Sequence, residues 1–95
     1  MRLKWRGKAR EDAKEIAAFV AQQNPAAAYH MYDEIRKQVG QLIDQPNIGR
    51  LGRIQGTREL VIVGLPYIVP YRINEDLIEI LRIYHTSRHW PVSLE

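Results

Sequence analysis

Ninety-five residues with no cysteine, a net charge of +3 and an apolar share of 45% set narrow limits on this chain. A chain this short builds one domain around one modest core; no apolar run nears the roughly 18 residues of a membrane span. Without cysteine there is no disulfide framework, thiol nucleophile or thiolate metal site. Charged residues interrupt everything up to Glu15, so no signal-peptide core is visible and a cytoplasmic location is expected. Leu94 and Glu95 fit a cloning remnant and carry no functional argument.

The chain begins with Arg2, Lys4, Arg6, Lys8 and Arg10, all basic before any acid appears. As a strand, residues 2 to 6 place Arg2, Lys4 and Arg6 on one face and Leu3 and Trp5 on the other. The basic face is either a solvated strand face or a surface for nucleic acid or an acidic partner. Ala13, Ile16, Ala17 and Val20 then recur at helical spacing, with Glu11, Asp12, Lys14 and Glu15 on the wet face. The acids are expected in the first turns, where the helix dipole favours them.

Asn24-Pro25 reads as an N-cap followed by proline at the first helical position. The second helix has a predicted stripe of Ala28, Tyr32, Ile35, Val39 and Leu42, and Gln45-Pro46 ends it. The short link makes the two helices an antiparallel hairpin. Gly49, Gly52 and Gly56, with Arg50 and Arg53, mark a mobile loop. It lacks the phosphate-loop pattern, so no nucleotide cofactor is expected there.

Three strand-like runs follow: Arg58–Val63, Tyr67–Ile73 and Leu77–His85, separated by Gly64-Leu65-Pro66 and Asn74-Glu75-Asp76. Pro70 requires an edge position or a bulge. With a turn over Asn74 to Leu77, Arg72 faces Glu79. The order is β-α-α-β-β-β, an α+β domain with a helical hairpin on a small, mainly antiparallel sheet.

His85 and His89 are split by strand geometry and no third ligand stands out, so no metal or cofactor is expected. Phosphodiester chemistry remains: it needs a base, an acid and cations around the phosphorane. Arg58, Arg72, Arg82, His85 and Arg88 are the candidates, with Tyr71 or Tyr84 as acid and Tyr67, Tyr84 and Trp90 for base stacking. Each has a bland counterpart: Tyr71 and Trp90 suit the core, and Arg58 can pair with neighbouring Glu59.

At these residues the chain resembles the RelE/ParE superfamily, the toxins of bacterial type II toxin–antitoxin modules. The matching features are Trp5, Asn24-Pro25, Ala27-Ala28, Pro46, Gly49-Arg50 and Gly56-Thr57-Arg58-Glu59-Leu60-Val61. They continue through Pro66 to Ile73 and through Ile80-Leu81-Arg82-Ile83-Tyr84-His85-x-x-Arg88. The resemblance implies the same β-α-α-β-β-β fold. It also implies a growth-inhibiting cytoplasmic toxin neutralised by a cognate antitoxin, whose C-terminal segment wraps the hairpin and sheet. Members act on DNA gyrase or cut messenger RNA on the ribosome. RelE-like nucleases usually carry arginine after the tyrosine that matches Tyr67, where this chain has Ile68. That favours gyrase poisoning, with ribosome-dependent cleavage as the alternative and an RNA- or antitoxin-binding module without toxicity as a third. Arg58, Arg82, His85 and Arg88 are the expected contact or catalytic residues.

Overall fold

The computed structural model describes residues 1–87. Its elements are β1 (Arg2–Trp5), α1 (Gly7–Ala21), α2 (Pro25–Gly40), β2 (Arg50–Leu51), β3 (Arg58–Val61), β4 (Tyr67–Asn74), β5 (Leu77–Ile80) and β6 (Tyr84–His85). The helices pack on one face of a sheet with order β1-β5-β4-β3-β2, and β6 pairs with β4 beyond the end of β5. Only β1 runs parallel to its neighbour β5; the other pairings are antiparallel. This is the expected α+β architecture, with β2 added and the last predicted strand divided in two.

Strand alternation sorts the side chains. Leu3 and Trp5 of β1, Tyr67, Val69, Tyr71 and Ile73 of β4, and Ile78 and Ile80 of β5 all join the core beneath the helices. At roughly 25 cal/mol per Å2 of apolar surface, this layer supplies the main drive for folding. On the opposite face Arg72 lies across from Glu79, as the turn over residues 74 to 77 predicts.

Asn24 caps α2 as read from sequence: its Oδ1 accepts a hydrogen bond of 3.1 Å from the Ala27 N–H, and Pro25 follows. The α2 stripe differs from the expected one. Met31 and Gln38 join Ala28, Ile35, Val39 and Leu42 inside, while Tyr32 is 40% exposed. Steps of three and four from Ala28 reach either Met31 or Tyr32, and the packed structure selects the slimmer side chain. The α-helix stops at Gly40, and one 3-10 turn over Gln41–Ile43 precedes the Gln45-Pro46 stop. The first helix begins at Gly7, earlier than expected, so its acids lie beyond the first turn.

The problem of Pro70 is resolved by a bulge. Tyr71 faces Ile80 and Ile68 faces Tyr84, so Leu81, Arg82 and Ile83 stand opposite only Val69 and Pro70. One extra residue on one strand is what defines a bulge. Leu81 N–H donates to the Pro70 carbonyl at 3.0 Å. A paired strand residue turns N–H and C=O toward the same neighbour. The donor that Pro70 lacks therefore falls where the partner strand has left the ladder.

The bulge also shifts the alternation. Ile78 and Ile80 point to the helices, Leu81 and Tyr84 pack on the far side, and Ile83 returns to the helix side. His85, which strict alternation from Ile80 would send to the far face, instead meets Tyr67 on the helix face.

Candidate functional site

Among the described residues, Arg58, Arg82 and His85 do not form one cluster. Arg82 is tied to α1: its Nε and NH2 donate to the two oxygens of Asp12 at 2.7 and 3.0 Å. The same carboxylate accepts the Ile83 N–H at 3.0 Å, so it fixes the bulge as well as the guanidinium. Both side chains are largely buried, at 17% and 8% exposed. The hydrogen bonds from Asp12 raise the Arg82 pKa above its ordinary value, against the opposing effect of burial. The guanidinium also lies 4.9 Å from the Tyr84 ring centre. Arg82 is thus a structural cation. Asp12 was read from sequence as a wet-face acid; its place inside the Ala9, Ala13, Ile16 stripe was the available signal.

Arg58 does not pair with Glu59. Neighbours on a strand point to opposite faces, and Arg58 donates to the carbonyls of Gly49 at 2.8 Å and Asn47 at 3.3 Å. Tyr71, opposite it on β4, is fully buried; its hydroxyl donates to Pro46 O at 2.7 Å and accepts from Gly49 N–H at 3.0 Å. Burial pushes the Tyr71 phenol up, outweighing Gly49 and Arg58. Gly49 has no space for a side chain, since an added Cβ would lie 2.5 Å from the Tyr71 oxygen. Tyr71 and Arg58 therefore pin the segment after α2.

Glu59 is claimed from the other side. Arg50 and Arg53 both bond its carboxylate, and Arg53 adds its backbone N–H at 2.9 Å. Burial raises the Glu59 pKa, but these hydrogen bonds win and hold the carboxyl below its usual value. The expected mobile loop is therefore tied down at Gly49, Arg50 and Arg53, and it contains β2.

His85 is the candidate with an accessible side chain among the described residues. Its ring stands edge-on to Tyr67, with centroids 5.6 Å apart. Its Nδ1 accepts from the Ser87 N–H at 3.2 Å, and Ser87 Oγ lies 2.8 Å away. A neutral imidazole held this way carries its proton on Nε2. His85 borders a groove of about 310 Å3 lined by Glu15, Ile16, Phe19, Tyr67 and Ile83. Burial raises the Tyr67 phenol pKa. Tyr67 and Tyr84 are 8% and 1% exposed, so neither offers a base-stacking platform. Arg88 and Trp90 lie outside the described residues.

Arg58 and His85 are also far apart. They flank β4 at Tyr71 and Tyr67, four positions and roughly 13 Å along the strand.

A sequence-family profile described as the ParE toxin of the type II toxin–antitoxin system parDE matches residues 3–90. The chain belongs to the ParE toxin family. The "Putative toxin Y4kP" of Sinorhizobium fredii is 41% identical to it over 90 residues, covering 95% of this chain and 93% of that protein. The "Toxin RelE2" of Caulobacter vibrioides is 33% identical over 84 residues, covering 88% and 93%. Among solved structures, the "Chromosomal ParDE TA system from P. aeruginosa" superposes with a TM-score of 0.82 at 31% identity. It covers 92% of this chain and 97% of that chain. This ParE-like chain is thus the toxin of a type II toxin–antitoxin system, and its family implies a cognate antitoxin as partner. No described helix is long and apolar enough to cross a membrane.

Proposed function

We propose that this ParE-like toxin acts in the cytoplasm by binding DNA gyrase and stalling it, without cutting RNA. The observation that carries this reading is the dispersal of the described candidates, Arg58, Arg82 and His85. RNA cleavage needs a base, an acid and a cation within about 3 Å of one phosphate and its leaving group. Here Arg82 is neutralised by Asp12, Arg58 is capped by backbone carbonyls, and His85 stands beside Glu15 at the far end of β4. With Nδ1 occupied by Ser87, a neutral His85 presents a donor instead of a basic lone pair. Raised phenol pKa values also make Tyr67 and Tyr71 poorer acids.

A protein contact asks less of these groups. His85 and the 67%-exposed Phe19 both line the α1 groove, and phenylalanine is among the side chains enriched at protein interfaces. We assign His85 to target contact, together with Arg88, and give Arg58 and Arg82 the task of holding the surface in shape. The antitoxin's C-terminal segment would cover the hairpin and sheet, shielding this groove. The test pairs two assays on purified toxin: supercoiling by gyrase, and messenger cleavage in a translating extract. Loss of supercoiling with intact messenger is expected. Intact supercoiling with cuts in ribosome-bound messenger would instead establish the nuclease.

A further inference from the structure

The basic run that opens the chain divides in the fold. Arg2 pairs with Asp76 and Arg6 with Glu79. Lys4 and Arg10 have no ion-pair partner among the described residues, and neither does Arg36 of α2. Arg10 and Arg36 line a hollow of about 470 Å3 between β1 and the helices, with Trp5 and Tyr32 in its wall, whereas strand alternation turns the Lys4 side chain to the opposite face beside Glu79. β1 is the edge of the sheet and pairs with β5 alone, so the hollow opens along that edge. It lies on different strands and helix positions from the His85 groove.

We propose that this hollow binds the phosphate backbone of duplex DNA. Two guanidiniums, Arg10 and Arg36, without carboxylate partners among the described residues have not spent their charge inside the protein, and oligoanions are their natural complement. The aromatic residues are already engaged: Trp5 packs against the core, and the Arg36 guanidinium lies 5.8 Å from the Tyr32 ring centre. An unpaired base would need a free ring face to stack on, and the Tyr32 ring already carries the Arg36 guanidinium on one face. What the hollow offers is charge in a fixed frame. That positions a protein on a duplex without reading its sequence. The inference rests on the gyrase reading for its setting, since gyrase holds a DNA segment while it works. The contact itself is testable without gyrase.

The experiment measures binding of the purified full chain to a labelled duplex by fluorescence anisotropy, from about 50 to 200 mM salt, the range over which phosphate contacts lose affinity. Arg10→Gln/Arg36→Gln is compared with Lys14→Gln/Lys37→Gln, which removes the same charge from elsewhere on the helices. The wild type is expected to bind with a log–log salt slope near −2, as two phosphate contacts give at about −0.9 each. Arg10→Gln/Arg36→Gln is expected to weaken binding at least tenfold and flatten the slope by about 2. Lys14→Gln/Lys37→Gln should change affinity less than threefold. Arg10→Lys/Arg36→Lys should keep the slope, and circular dichroism checks that each variant is folded.

Equal losses in the two Gln pairs would overturn the proposal, because binding would then follow bulk charge. Displacement of the duplex by polyglutamate as readily as by unlabelled DNA would also overturn it and assign the hollow to acidic polypeptide. So would the absence of duplex binding at the lowest salt. Gyrase capture without DNA, run with the same variants, separates the two ideas. Capture unchanged by Arg10→Gln/Arg36→Gln while duplex binding falls supports the DNA contact. Failure of capture by wild type as well removes the gyrase reading and leaves the duplex result standing.

Discussion

Arg82 and Arg36 carry the same guanidinium and meet different fates. Arg82 is held in two hydrogen bonds by Asp12, which also holds the Ile83 N–H of the bulge. Arg36, across the helical layer, has an aromatic neighbour and no carboxylate among the described residues. The contrast extends to Arg50 and Arg53, bound by Glu59, against Arg10 on the hollow. Cationic residues in this small protein thus do two jobs. Those held by buried carboxylates or, like Arg58, by backbone carbonyls shape loops and strands, and Arg10 and Arg36, without such partners among the described residues, stand exposed. Which job an arginine does depends on the acceptor that the fold brings to it.

The largest test of this contrast is Asp12→Ala. It strands a largely buried Arg82 and an Ile83 N–H together, so a loss of about 3–5 kcal/mol is expected in chemical denaturation. Asp12→Asn keeps an oxygen for Ile83 and should cost about half as much. Equal stability in wild type and Asp12→Ala would place Arg82 outside the structural group. Arg50→Gln/Arg53→Gln comes next. It leaves Glu59, 2% exposed, without its two cations, and should cost about 2–3 kcal/mol because the rim of this site is wet.

The same site sets a pH dependence. The Glu59 pKa is depressed in the folded state, so its contribution is complete above the unfolded value of about 4.3. It is lost as pH falls through the folded value below that. Acid unfolding followed by circular dichroism should therefore show a shallower decline for Glu59→Gln than for wild type. Parallel curves would remove Glu59 as the source. A smaller effect is expected for Tyr71→Phe, which unpairs the Gly49 N–H and Pro46 carbonyl, at about 1–2 kcal/mol in denaturant. His85→Ala should change stability least, within about 0.5 kcal/mol, yet reduce growth inhibition on expression. Full toxicity would return His85 to the packing residues.

Much of this organisation was legible in the chain. The Asn24-Pro25 cap, the two faces of β1 and the Arg72–Glu79 pairing all follow from local rules of period and turn. The demand for an edge position or a bulge at Pro70 was readable too, because proline lacks a donor wherever it stands. Its consequence was not: which residue is the extra one depends on the register of β4 against β6, a pairing between distant segments. That register decides the face on which His85 emerges. The partner of Arg82 was hidden for the same reason, since Asp12 is 70 residues from it in sequence, while Arg58 bonds backbone carbonyls of Asn47 and Gly49, which no side-chain pattern marks. Gln38, outside the expected α2 stripe, is buried for a reason the sequence did not show. Its amide bonds both the N–H and the carbonyl of Val63, at 2.8 and 2.9 Å, and so closes the end of β3.

Gyrase supercoiling, measured with purified toxin beside a translating extract given the same concentration, addresses the central claim most directly. Inhibited supercoiling with uncut messenger is the predicted result. Messenger cut on the ribosome while supercoiling proceeds normally would contradict it.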